Sequence, residues 1–106
     1  MLKITPFQTC LALVGLVIAS SAYANLELAQ AKTCTACHSV DKQVLGPALR
    51  DVAKKYAKTP DAVDRIAESI KKGGSGKWGQ IPMPAQDSLS DADAKALAQW
   101  ILNGAK

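Results

Sequence analysis

The stretch Cys34-Thr35-Ala36-Cys37-His38 decides how this chain folds, because it places two thiols three positions apart with a histidine directly after the second. This arrangement is the attachment signal for a c-type haem. The two cysteines lie about one helical turn apart, so both sulfurs can reach the two vinyl groups of one porphyrin. The histidine then lies where it can bind the iron. The stretch therefore predicts a haem c held covalently by Cys34 and Cys37, with His38 as an axial ligand.

Two other classes of protein use the C-x-x-C pattern, and the rest of the chain favours neither of them. A structural zinc site needs four ligands, whereas residues 25–106 contain no further cysteine and no histidine besides His38. A thioredoxin-like redox pair is expected in a strand–helix–strand context, and no run of the chain alternates convincingly enough to be a strand. Haem attachment is therefore favoured over a haem-free C-x-x-C module.

The N-terminus has the features of a secretory signal peptide. Lys3 supplies a positive charge, residues 10–19 form an unbroken apolar run, and Ala22 and Ala24 give a small-residue cleavage pattern. The apolar run is short for a membrane span, which needs about 20 residues, so an uncleaved anchor is less favoured. We expect residues 1–24 to be removed and the protein to be periplasmic.

Cleavage there leaves residues 25–106 as one small domain. A chain this short buries little apolar surface and usually needs a disulfide, a metal or a cofactor to stabilise it. No disulfide framework is available, because the only cysteines left are those of the haem motif. A porphyrin would complete the core, which supports the haem prediction independently of the motif.

The charge of the chain is mildly basic. Lys and Arg number 13 and Asp and Glu number 9, a net charge of +4, and loss of Lys3 with the signal peptide would lower it by one. This excess is too small to indicate a nucleic-acid partner, and it suits weak docking to acidic faces of other proteins. Sequence proximity to the haem motif and to Met83 marks five candidate docking residues: Lys32, Lys42, Lys71, Lys72 and Lys77.

Four helices separated by loops are predicted from the apolar periodicity. They run from Asn25 to about Thr33, from Ala48 to Ala57, from a Thr59 cap to Gly73-Gly74, and from Ser90 to Gly104. In the third, Pro60 is expected in the first turn, and Val63, Ile66, Ala67 and Ile70 follow the helical i, i+3, i+4, i+7 pattern.

A long loop, Gly74 to Leu89, separates the last two helices. It is rich in Gly, Pro and Ser, yet it contains Trp78, Ile81 and Met83. A loop of this length in so small a domain is usually functional or disordered. The apolar residues argue against disorder, because something must bury them.

Met83 is the favoured sixth ligand of the iron. Residues 25–106 contain one histidine and one methionine, so ligation by two histidines is excluded. A thioether is a recognised partner of histidine in haem ligation. The prolines on either side fix the backbone, which is unusual for a methionine that only fills a core. Tyr56, a lysine, water or an open sixth position are the alternatives.

Four motifs occur in an order and spacing that resemble a known family: CTACH at residues 34–38, LGPA at 45–48, KWGQIPMPAQ at 77–86 and AKALAQWIL at 94–102. With them the chain resembles a class I c-type cytochrome of the small single-haem branch found in bacterial periplasms. The resemblance covers essentially all of residues 25–106. It implies an all-α cytochrome c fold, with about four helices around one covalently bound haem.

The resemblance also implies roles for individual residues. Cys34 and Cys37 would form the two thioethers, and His38 and Met83 would be the axial ligands. The carbonyl of Pro47 would accept the other ring N–H of His38 and fix its tautomer. Six further residues would line the pocket or pack near it: Val52, Tyr56, Ile66, Ile70, Ile81 and Trp100.

Other implied contacts concern the haem itself and the ligand sulfur. Trp78 would donate its indole N–H to a propionate, Gly46 would allow close approach of the backbone to the haem, and Gln86 would donate to the ligand sulfur. Some relatives carry an arginine on the third helix where this chain has Ser69. Arg50 or a lysine is the expected substitute as a propionate partner.

A centre with both axial positions filled by protein implies outer-sphere transfer of single electrons between Fe(III) and Fe(II), in a monomer that is not an enzyme. The expected donor is a quinol-oxidising complex or another cytochrome. The expected acceptor is a terminal oxidase, a nitrite reductase or a cytochrome c peroxidase. The alternative is a haem enzyme or gas sensor with a displaceable sixth ligand, although the chain offers no second histidine near the haem.

Overall fold

Side-chain caps mark the starts of the first and last described helices. The computed structural model describes Gly15 and residues 24–106, so the predicted signal peptide lies outside the described residues except for Gly15 and Ala24. The described helices are α1 (Leu26–Ala31), α2 (Leu49–Tyr56), α3 (Ala62–Lys72) and α4 (Asp91–Leu102), with a 3-10 turn at Cys34–Ala36. None of these helices is both long enough and apolar enough to span a bilayer.

α4 has a defined signal at each end. The Ser90 hydroxyl accepts a hydrogen bond of 3.1 Å from the N–H of Asp93, which satisfies a donor that the helix itself leaves free. At the other end Gly104 has φ +97°, and the N–H of Ala105 donates to the carbonyl of Trp100 at 3.0 Å. This is a Schellman termination. The predicted start and end of the fourth helix are confirmed.

α3 begins later than predicted. The expected cap at Thr59 and the expected place of Pro60 in the first turn are wrong, because α3 begins at Ala62. The N–H of Thr59 donates to the carbonyl of Tyr56 at 3.0 Å, so Thr59 belongs to the turn that ends α2. Asp61 occupies the cap position with φ +55° and makes no side-chain capping bond.

α1 is also shorter than expected, because it ends at Ala31. Its Asn25 cap is confirmed by a hydrogen bond of 3.0 Å that the Asn25 side chain accepts from the N–H of Leu28. Thr33 follows with φ +62°. This left-handed residue stops the helix and directs the chain into the 3-10 turn that carries the cysteines.

The core lies where α4 crosses the other helices. α4 packs most extensively against α3 and next against α2. Leu97 is 1% exposed at the centre of this packing, and burial of such a side chain contributes about 1.5–3 kcal/mol. The same core cluster contains the larger side chains of Leu49, Val52, Tyr56, Ile66, Ile70, Trp100 and Ile101.

The loop of residues 74–89, called the methionine loop below, is closed at its base. Gly74 and Met83 exchange two backbone hydrogen bonds, of 3.1 and 2.7 Å, in an isolated antiparallel bridge. Farther along, the N–H of Gln86 donates to the carbonyl of Ile70 in α3 at 3.2 Å. The loop therefore has a defined path that returns Met83 to the end of α3.

Candidate haem-binding site

A cavity of about 410 Å³ lies between α2, α3, α4, the cysteine turn and the methionine loop. This volume falls in the range of small-molecule and cofactor sites. Cys34, Cys37, His38 and Met83 all line it. All six residues expected to line or pack near the pocket line it as well: Val52, Tyr56, Ile66, Ile70, Ile81 and Trp100.

The 3-10 turn sets the spacing of the two thiols and the histidine. The carbonyl of Cys34 accepts hydrogen bonds from the N–H of Cys37 at 3.2 Å and from the N–H of His38 at 3.0 Å. This tight turn directs all three side chains to the cavity. Both cysteines are free thiols. Burial raises the pKa of the Cys34 thiol above its usual range.

The His38 ring is oriented by a backbone carbonyl. Its Nδ1 lies 2.8 Å from the carbonyl oxygen of Pro47, which is the contact that the resemblance implies for this pair. A carbonyl oxygen can only accept, so Nδ1 carries the ring proton. In the neutral ring Nε2 is then the nitrogen without a proton, which is the one able to bind a metal.

Gly46 leaves room for this ring. A Cβ atom built on Gly46 would lie 2.5 Å from Cε1 and 2.8 Å from Nδ1 of His38. No real Cβ contact is that short, so any other residue would displace the ring. The Gly46 backbone therefore lies close to the His38 ring, and its expected close approach to the haem stays a prediction.

The methionine side of the cavity depends on a second glycine. Gly73 has φ +64° and ψ −162°, a combination that is essentially restricted to glycine. A Cβ atom there would lie 2.3 Å from the carbonyl oxygen of Met83. The end of α3 and the backbone of Met83 can approach this closely only with glycine at position 73.

Trp78 lines the cavity and is 39% exposed. The Lys55 ammonium lies 4.5 Å from the centroid of its ring, within the distance of a cation–π contact. Sequence reasoning missed Lys55, and no signal in the sequence marks it, because its partners lie far along the chain. The predicted bond from the Trp78 indole N–H to a propionate stays a prediction.

Two side chains with expected roles at the haem have other partners in the structure. Arg50, an expected propionate partner, forms an ion pair with Asp41 and does not line the cavity, whereas Lys77 and Ser69 do. The Gln86 side-chain amide donates to the carbonyl of Pro84 at 3.3 Å rather than to the sulfur of Met83.

Three of the five candidate docking lysines form ion pairs. Lys32 lies 3.9 Å from Asp93, Lys71 pairs with Asp91, and Lys72 lies 2.6 Å from Glu68. These ion pairs reduce the positive charge that the three lysines can offer to a partner protein. Of the five candidates, only Lys77 lines the cavity.

The lining fits a haem. It supplies two thiols, an imidazole with a free Nε2 and a thioether, set among apolar walls. Leu45 and Ile81 line the same cavity although they are 57% and 62% exposed, and large exposed apolar side chains grouped around a cavity favour an apolar ligand. Fold and cavity together define a small helical haem protein of the c type.

Comparison with known proteins agrees with that class. The family model described as cytochrome c matches residues 26–105. The chain is 54% identical over 88 residues to cytochrome c-552 of Nitrosomonas europaea, covering 83% of this chain and 85% of the relative. It is 56% identical over 92 residues to cytochrome c-552 of Hydrogenobacter thermophilus, covering 87% and 91%.

A solved structure supports the same assignment. The crystal structure of wild-type Nitrosomonas europaea cytochrome c552 matches with a TM-score of 0.74 and 55% identity, covering 76% of this chain and 99% of that one. The chain belongs to the cytochrome c family. Its fold is the all-α cytochrome c fold, and its cofactor is a covalently attached haem c, as the sequence predicts. Membership of this family makes it an electron carrier.

Proposed function

We propose that this protein is a periplasmic carrier of single electrons, with its haem attached through Cys34 and Cys37 and ligated by His38 and Met83. The observation that carries the proposal is that these four side chains, from two separate segments, line one cavity. The haem supplies an Fe(III)/Fe(II) couple when it is bound. The surrounding residues hold the ligands, exclude water and limit access.

Both ligands are positioned by the backbone around them. The Pro47 carbonyl fixes the His38 ring through the 2.8 Å contact at Nδ1, and such a contact raises the basicity of the other ring nitrogen. Met83 is fixed by its backbone bridge to Gly74 and by the prolines on either side. Ligands held in this way need little rearrangement when the charge of the iron changes.

The side chains also favour the reduced state. A thioether partner for histidine raises the reduction potential. The apolar walls, among them Val52, Ile70 and Leu97, act in the same direction, because a low-dielectric site disfavours the more highly charged oxidised centre. We expect a positive reduction potential.

With His38 and Met83 both holding the iron, no coordination position would remain for a substrate, so we infer that the protein is not an enzyme. Electrons pass instead between the cavity edge and partner proteins. The donor is a quinol-oxidising complex or another cytochrome, and the acceptor is a terminal oxidase, a nitrite reductase or a cytochrome c peroxidase. Redox encounters of this kind use small, short-lived interfaces. We propose further that residues 1–24 direct export and are then removed.

The absorption spectrum of the ferric protein, purified with its haem, tests the ligation. The methionine–iron bond gives a weak charge-transfer band at the red end of the visible spectrum. We expect this band in the wild type and its loss in Met83→Ala. Ile81→Ala is the matched control, because Ile81 lies in the same loop and lines the same cavity but has no ligand atom.

Two outcomes would contradict the proposal. A band that persists in Met83→Ala would exclude the thioether as ligand. A wild type without the band would mean that the sixth position is open or filled by another group, and the protein would then be a haem enzyme or gas sensor.

A further inference from the structure

Two consecutive residues of α2 contact two consecutive residues of the methionine loop. The Lys55 ammonium donates a hydrogen bond of 3.2 Å to the carbonyl of Lys77 and lies 4.5 Å from the ring centroid of Trp78. The Lys77 ammonium donates to the hydroxyl of Tyr56 at 3.3 Å and lies 6.0 Å from its ring centroid. The contacts are reciprocal, since a lysine of each segment donates to the other.

These contacts hold residues 75–82 of the methionine loop, which make few other contacts with the helices. The loop is closed at its base by the Gly74–Met83 bridge, and Gly76 bonds only within the loop, to the carbonyl of Gly79. In the part of the chain that the structure describes, the hydrogen bonds that join residues 75–82 to a helix are those made by Lys55 and by Lys77.

The helix side of the contact is firmly fixed. Tyr56 is 9% exposed and belongs to the buried core, so its hydroxyl is a stationary acceptor. Lys77, Trp78 and Tyr56 all line the cavity. The contacts that join Lys55 and Tyr56 to Lys77 and Trp78 therefore also keep one wall of the cavity in place.

We propose that Lys55, Tyr56, Lys77 and Trp78 form a clasp that keeps the methionine loop closed and so excludes small nitrogen ligands, such as imidazole, from the haem. The proposal rests on the proposed function insofar as Met83 is the ligand that a competitor would have to displace. Lys55 and Lys77 act here as positioning residues, since they touch the loop and α2. Because each contact is weak, a small change in the loop can open the clasp.

Lys55→Ala tests the clasp in the ferric protein carrying its haem. Loss of the ammonium removes a hydrogen bond and a cation–π contact, which together are expected to make opening about tenfold more frequent. The rate of imidazole binding should rise by that factor. Amide hydrogen exchange in residues 75–81 should rise likewise, while exchange in α4 stays unchanged.

Matched variants separate the clasp from a general loss of stability. Lys54→Ala makes the same charge change in the same turn of α2, at an exposed residue, and should match the wild type. Lys55→Arg keeps both the donor and the cation over Trp78 and should restore slow imidazole binding. Tyr56→Phe removes only the hydroxyl and should give a smaller increase than Lys55→Ala.

Several results would overturn the clasp. Equal imidazole binding and equal exchange in Lys55→Ala and Lys54→Ala would do so, as would faster exchange throughout the protein without rescue by arginine. A failure of the proposed Met83 ligation can be distinguished from a failure of the clasp, because it removes the charge-transfer band from the spectrum of the wild type. The exchange of residues 75–81 reports on the clasp in either case.

Discussion

The two segments that bring candidate ligands to the cavity are built differently. Residues 34–48, called the histidine segment here, are held by backbone hydrogen bonds along their length. The N–H of Gly46 donates to the carbonyl of Cys37 at 2.8 Å, and the N–H of Leu49 donates to that of Ser39 at 2.9 Å. In the methionine loop, backbone bonds hold Gly74, Met83 and Gln86, whereas residues 75–82 depend on side chains for their hydrogen bonds to a helix.

This difference indicates which side of the cavity opens first. The backbone hydrogen bonds between the histidine segment and the first turn of α2 can break only when that turn unfolds. The contacts made by the exposed Lys55 and Lys77 can break one at a time. Local opening is expected where buried contacts are fewest. The histidine segment should therefore stay in place while the methionine loop opens and closes, so that His38 is the permanent ligand and Met83 the exchangeable one.

Among the substitutions that test this difference between the two segments, Gly73→Ala should lower the free energy of unfolding most. An alanine at φ +64° and ψ −162° is strained, and its Cβ would lie 2.3 Å from the backbone oxygen of Met83, which cannot move without breaking the bridge. We expect the free energy of unfolding to fall by about 4 kcal/mol from strain and overpacking together. Urea denaturation of the protein with its haem measures the loss.

Gly76→Ala is the control for that experiment. Gly76 has φ +91°, but nothing lies within 4 Å of a Cβ built on it. It therefore reports backbone strain alone, and its cost should be about 1–2 kcal/mol. Equal losses in the two variants would show that the contact between Gly73 and Met83 contributes nothing to the stability of the loop.

Gly46→Ala makes the corresponding change in the histidine segment and should cost less. Its backbone does not have the positive φ of Gly73, and the obstacle is the His38 ring rather than a backbone atom. We expect a loss of about 2 kcal/mol from overpacking. The ring must turn, so its bond to Pro47 should weaken, and the NMR signal of the Nδ1 proton should exchange faster. An unchanged signal would show that the ring is not confined by Gly46.

Much of the fold follows from short-range signals in the sequence. Ser90 and Gly104 mark the two ends of α4 because each acts on backbone groups within a few residues. The start of α3 could not be predicted in this way. Thr59 has the right chemistry for a cap, but it lies in the turn that follows α2, and its position therefore depends on how α2 ends.

The candidate site shows the same limit. Residues that line the cavity could be predicted from motif and spacing, because an apolar residue near a haem motif has few other places to go. The partners of charged side chains could not. Arg50 pairs with Asp41, and Lys55 reaches a carbonyl 22 positions away. Such pairs depend on how the helices pack, and a lysine in a sequence has many possible partners.

The smallest expected effect concerns the ion pair at the two ends of the methionine loop. Lys71 lies in the last turn of α3 and pairs with Asp91 in the first turn of α4. The hydrogen bond from Lys71, together with its charge, holds the pKa of the Asp91 carboxyl below its usual range. Since the folded pKa lies below the unfolded one, the stabilisation is present above the ordinary aspartate pKa of about 3.9 and is lost as the pH falls through the folded value.

Asp91→Asn, Lys71→Gln and the double variant form a cycle that isolates the pair from the effect of Asp91 on the helix start. The Asp91 side chain is 80% exposed, so we expect a small coupling at pH 7 that disappears once the pH falls below the folded pKa of Asp91, and also in about 1 M salt. Urea denaturation at several pH values measures it. A coupling that persists in acid or in high salt would mean that the ends of the loop are held by packing, and the methionine loop would then resemble the histidine segment more closely than its contacts suggest.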